Sequence, residues 1–144
     1  MSMISIVIIG FIVLEATNVI ALYFFPGSKY ANSVGVFKAW EKSKQEPEIH
    51  DFVKYLVNWV AGTKLIFLLL LVVILFTADA QGLFYTGLAL VISISSFFWR
   101  LFPLIRKMDR EDQIDPKNYS AILGVMIAAF VLVLVAALLI SGNG

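Results

Sequence analysis

A chain of 144 residues that is 60% hydrophobic and 15% charged, with a mean hydropathy of +0.91, has a membrane composition, since a soluble domain carries about 25% charged residues. The formal net charge of +1 argues against a nucleic-acid partner, and the absence of cysteine removes disulfides, iron–sulfur clusters, thiolate zinc sites and thiol nucleophiles. A single histidine, His50, excludes bis-histidine haem ligation within the chain, so neither a cofactor nor a metal is expected.

A bilayer core of about 30 Å is crossed by about 20 apolar residues in a helix, and four runs meet that length. The first, 4–25, lacks a basic leading segment and a small-residue cleavage site, which reads as a retained helix and not a removable signal. Pro26-Gly27 ends it. The second, 53–76, is preceded by Pro47, a residue suited to opening a helix, so its first two turns are expected to stand outside the lipid. The third, 82–104, contains Pro103, where a kink is expected. Asp115-Pro116 ahead of the fourth, 119–141, reads as an N-cap followed by a first-turn proline. The fold class predicted is therefore all-α integral membrane, a single domain over 1–144 forming an antiparallel four-helix transmembrane bundle.

Orientation follows from the basic residues. Lys29, Lys38, Lys42, Lys44 and Lys54 flank or occupy the first connection, and Arg100, Arg106, Lys107, Arg110 and Lys117 the third. Both termini and the short 77–81 turn carry none, which predicts N-out/C-out with two cytoplasmic connections. Tyr23, Tyr55, Trp59, Trp99 and Tyr119 fall at the same predicted interface. Asp109, Glu111, Asp112 and Asp115 balance the bases of the third connection but weigh little in that rule. Within the first connection, 32–44 sets Val36, Phe37 and Trp40 on one side, the pattern of a short amphipathic interfacial helix lying among headgroups.

Lys64 is the odd residue, a charge near the middle of the second span. Its insertion costs roughly 2.5–3.5 kcal/mol, against about 0.3–0.6 gained per Leu, Ile, Val or Phe, so the run can carry it if a partner exists. Glu15 lies about nine residues, or roughly 13 Å, below the predicted cytoplasmic end of the first span, and Lys64 about eight, or roughly 12 Å, below that of the antiparallel second. Equal depth predicts contact. Asn18 shares a helix face with Glu15, and on the third span Ala89, Ser93, Ser96 and Arg100 form a small and polar stripe. Asn58 projects about 120° away from Lys64. Glu15, Asn18, Asn58, Lys64, Ser93, Ser96 and Arg100 are thus the ligand or coupling-site candidates. The structural reading beside it is interhelical glue, with hydrogen bonds averaging about 0.6 kcal/mol.

Glu46 and His50 have the i, i+4 spacing of two ligands on one helix face, although acidic residues near a helix start are favoured by the dipole alone. The Asn118-Tyr119-Ser120 sequon falls on the cytoplasmic side and is discounted, while Ala121, Gly124, Ala128, Ala136 and Ala137 read as packing positions. There is no phosphate loop, Ser/His/Asp set or HExxH motif, so no catalytic residue is assigned. A glutamate in the first of four spans resembles the small multidrug transporters at the level of fold. The long first connection and the lysine opposite depart from that pattern.

Three functions fit. The first is a non-catalytic helical subunit or scaffold working through lipid- and protein-facing surfaces, with membrane lipids, other membrane subunits or a second copy as partners. The alternatives are a small ion- or proton-coupled transporter or channel-like oligomer using Glu15 and Lys64, and a lipid-modifying enzyme with a cytoplasm-facing site. Multi-pass insertion in a plasma membrane, the inner membrane of a prokaryote, is the expected location.

Overall fold

The structure, a computed structural model, describes residues 2–142. It is all-helical, with α1 over Met3–Phe24, a 3-10 turn over Val34–Val36, α2 over Lys38–Ser43, α3 over Pro47–Thr77, α4 over Ala80–Ser95, α5 over Phe97–Arg110 and α6 over Tyr119–Gly142. Four spans are long and apolar enough to cross a membrane: α1, α3, α4 with α5 taken together, and α6.

Local chemistry sets most helix ends. The Ser2 hydroxyl accepts the Ser5 N–H at 3.3 Å and opens α1. Pro47 stands in the first turn of α3, where its missing N–H costs nothing. The Asp79 carboxylate accepts the Gly82 N–H at 2.8 Å and opens α4.

Three sequence expectations are corrected. The third span breaks at Ser96, not at Pro103, which lies inside α5. Pro103 acts on the Trp99 carbonyl four residues back, inside α5, whereas at the break the Ser96 hydroxyl donates to the Ser93 carbonyl at 2.6 Å in competition with the backbone ladder. Asp115-Pro116 does not open α6, which begins at Tyr119. Instead Asp109, reaching across from α5, accepts the backbone N–H groups of Asn118 at 3.1 Å and Ser120 at 3.0 Å, and the Ser120 hydroxyl at 2.6 Å. Finally, the stretch expected as one amphipathic helix divides at Phe37 into a 3-10 turn and α2, with Val36 and Trp40 buried inside the protein.

Helix α1 is the hub and packs along α3, α6 and α4, while α4 and α5 pack along α6. Away from the long connections, Ile4 and Ile8 of α1, Leu71 of α3, Leu83 and Leu90 of α4, and Leu134 and Leu138 of α6 close one apolar core. Gly87 is needed there, because a Cβ on it would stand 2.4 Å from the end of Ile4 and 3.1 Å from Leu138. At the opposite end Val36, Ile105, Ile114 and Leu123 form a second cluster. Beyond the break, α5 follows α6 and makes no substantial packing with α1 or α3. Large apolar side chains cover the outside, among them Leu14, Ile66, Leu69, Val73, Ile92, Val125 and Leu132.

Candidate functional site

Lys64 and Glu15 occupy the inward faces of their helices. Val57, Ala61, Leu68 and Leu71 are the buried residues of α3, at offsets of −7, −3, +4 and +7 from Lys64. Ile8, Val19 and Leu22 stand likewise around Glu15 on α1. The Lys64 ammonium lies 2.7 Å from Oε2 of Glu15 and 2.6 Å from Oδ1 of Asn18. Asn18, buried, turns its amide nitrogen to the backbone carbonyls of Ala31 at 2.6 Å and Asn32 at 2.9 Å. The charged pair is thereby joined to the first connection.

That segment needs holding. Ala31 and Asn32 both have φ near +54°, the left-handed region, which an alanine enters only at a cost of about 1 kcal/mol or more. Two carbonyls fixed by one buried amide stabilise that conformation, and the Tyr119 hydroxyl adds a hydrogen bond to the Asn32 side chain.

The pair is not closed off. Glu15 and Lys64 keep 29% and 31% of their side-chain surface accessible despite their inward placement. The third span packs along α6 and α1 and hardly touches α3, which leaves that flank of α3 uncovered. Val60 and Phe67, at −4 and +3 from Lys64, are exposed at that flank.

The other sequence candidates lie apart from this cluster. Asn58 is exposed on α3, and Ser93 and Ser96 are exposed along α4 and at its end. Arg100 is exposed on α5, its guanidinium 5.1 Å from the centre of the Trp99 ring. Ala89, Ser93, Ser96 and Arg100 therefore form an outward stripe. His50 pairs through Nδ1 with the Ser43 hydroxyl at 2.9 Å and lies against the Trp40 ring, and Glu46 is exposed. Among the described residues no three metal-ligating side chains come together.

Sequence reasoning missed a clasp between the two long connections. The Lys38 N–H donates to the Gln113 carbonyl and the Asp115 N–H to the Val36 carbonyl, each at 2.9 Å, pairing Phe37 with Ile114 in an isolated antiparallel bridge. Lys29 pairs with Asp115, and Lys38 with Asp112 at 2.7 Å. The hydrogen bonds and charges of those lysines hold both carboxyls below the usual carboxylate range. Ile114, one apolar residue among acids and amides, was the available signal.

Two surface depressions lie at this end. One, about 350 Å³, is bordered by Lys29, Lys38, Glu41, Lys42 and Asp115, where acids and bases are mixed. The other, about 340 Å³, lies between α5 and α6 and is bordered by Arg106, Arg110 and Lys117. Neither is lined by Glu15, Asn18 or Lys64. Comparison with protein-family models, with characterised proteins and with solved structures gives no match to this chain.

Proposed function

We propose that this chain is a non-catalytic membrane subunit, an antiparallel four-helix bundle inserted N-out/C-out in a plasma membrane of prokaryotic type, that works by assembling with another helix. The observation carrying this reading is the unfinished burial of the Glu15–Lys64 pair. The two charges satisfy each other within one chain, yet close to a third of each side chain stays open on a flank otherwise faced with Leu, Ile, Val and Phe. Acyl chains cover such an edge poorly, because they offer it no hydrogen bond, whereas a partner helix with one small or polar residue covers it well. Asn18 supports the same reading. Its oxygen and its amide are both engaged within the chain, as befits a fastening more than a substrate contact.

The chain has no cysteine, so single cysteines can map this flank without background. Oxidative cross-linking in native membranes should give an adduct from Val60→Cys and Phe67→Cys, with a second copy or another subunit, and none from Leu69→Cys on the opposite side of α3. Equal yields at all three positions, or none at any, would reject assembly through this flank.

The same opening also favours a second reading, an ion-coupled site at Glu15. Its test is flux: gradient-driven proton or cation movement by the purified chain in liposomes, abolished by Glu15→Gln, would establish that reading over the first.

A further inference from the structure

At the end of the bundle formed by the long connections, the charge is unevenly distributed. Most lysines there have carboxylates of their own: Lys29, Lys38, Lys44, Lys54 and Lys107 are each within 4 Å of one. Arg106, Arg110 and Lys117 have none among the described residues, and all three border the 340 Å³ depression between α5 and α6. The acids on its rim are already engaged. Both oxygens of Asp109 receive hydrogen bonds from the start of α6, and Asp112 is paired with Lys38. Asp109 and Asp112 line the hollow as well, but Asp112 is shared with Lys38, so three cations face two carboxylates and an excess of positive charge remains.

Its depth in the bundle identifies the ligand. One turn along α6 from Ala121, Val125 is exposed, and along α5 Trp99, two turns before Arg106 and on the same helix face, is exposed as well. These side chains mark where lipid-facing surface begins. The Arg106 guanidinium lies 6.0 Å from the centre of the Phe102 ring, an arrangement in which the stem follows apolar surface and the charge stays at the polar level. A ligand in this hollow must carry negative charge at its head and apolar chains beside α5 and α6.

We propose that the α5–α6 hollow, through Arg106, Arg110 and Lys117, binds the phosphate headgroup of an anionic phospholipid whose acyl chains lie against Trp99 and Val125. This goes beyond the subunit reading and requires only that the four apolar helices lie in a membrane.

Native mass spectrometry of the full chain in a neutral detergent, titrated with phosphatidylglycerol or phosphatidylcholine, tests it. Each cation at a membrane surface contributes roughly fivefold in affinity, so the parent should retain phosphatidylglycerol at a concentration at least about tenfold lower than phosphatidylcholine. Arg106→Gln/Arg110→Gln/Lys117→Gln should bind the two lipids alike. A control removing three charges elsewhere at the same end, Lys42→Gln/Lys44→Gln/Lys54→Gln, should keep the preference. Equal loss in both triple variants would mean diffuse surface charge and overturn the proposal. Displacement of phosphatidylglycerol by millimolar inorganic phosphate would overturn the lipid as ligand, leaving a free-anion site. If the triple variant does not fold, the parent and Arg110→Gln decide: a parent without lipid preference points to an acidic protein segment or no ligand and rejects the site, and an unchanged Arg110→Gln does the same.

Discussion

Asn18 Oδ1 lies 2.6 Å from the Lys64 ammonium, while its amide nitrogen lies 2.6 Å from the Ala31 carbonyl. One buried side chain thus joins α1, α3 and the left-handed turn at 31–32. The geometry explains why an asparagine stands there, since the position needs an acceptor toward a cation and donors toward two carbonyls at once.

Asn18→Ala should therefore lower thermal stability in detergent more than its size implies. It strands two carbonyls and removes one of the two acceptors of Lys64, for an expected cost of about 1–3 kcal/mol. Asn18→Asp keeps the acceptor and loses the donors, so it should not restore stability. A melting temperature unchanged in both variants would show that the turn holds itself.

The ion pair predicts a coupling. Lys64→Leu alone leaves Glu15 without its cation, and Glu15→Leu alone leaves Lys64 with Asn18 only. Each should cost about 1–3 kcal/mol, less than the 3–5 of a fully buried pair because both side chains remain partly accessible. The double substitution Glu15→Leu/Lys64→Leu should cost less than either single one. Additive losses in a double-mutant cycle would mean the two charges act independently.

How much of this was legible in the chain depends on the range of the interaction. Span length is a local property, so the apolar runs located the four spans, and Pro47 marked the start of α3. Depth arithmetic needed only the rise of a helix and the antiparallel connection, and it put Glu15 level with Lys64. The break at Ser96 was hidden because a serine hydroxyl that turns back onto the Ser93 carbonyl leaves no mark in the apolar pattern. Asp109 looked like one more loop acid, since nothing local shows that its carboxylate closes the next helix. Lys29 and Asp115 stand 86 residues apart and follow no period, so their pairing has no sequence signature. Ser93, Ser96 and Arg100 shared a face, but the pattern could not say that the face points outward.

Two glycines should respond differently to a methyl group. At Gly35 the added Cβ would stand 2.0 Å from the Gly27 carbonyl oxygen and 2.5 Å from that of Ser28, so backbone must move. At Gly87 the obstacle is the end of the Ile4 side chain, which can turn. Gly35→Ala should cost at least the 1–3 kcal/mol typical of overpacking and disturb the clasp, while Gly87→Ala should cost less. Melting temperatures in detergent compare them, and the reverse order would show that the Gly27–Gly35 approach is loose in solution.

The clasp between the connections should weaken in acid. Asp112 and Asp115 have folded pKa values below the usual 3.8, chiefly because Lys38 and Lys29 donate hydrogen bonds to them and secondarily because of those charges. A carboxyl depressed on folding contributes its stabilisation above the unfolded value and loses it as pH falls through the folded one. The clasp should therefore be constant from neutral pH down to about 5 and open progressively below 3.8. Both pairs are solvent-exposed, so about 1 M salt, with a screening length near 3 Å, should weaken them at neutral pH as well. The readout is hydrogen-exchange protection of the Lys38 and Asp115 amides, which bond across the bridge, corrected for the intrinsic pH dependence of exchange. Protection falling only at those two amides, with the α1–α3 interface unaffected, is the expected result. Protection that persists at pH 2.5 would show that the two backbone hydrogen bonds and the buried Val36 and Ile114 hold the connections together without the charges.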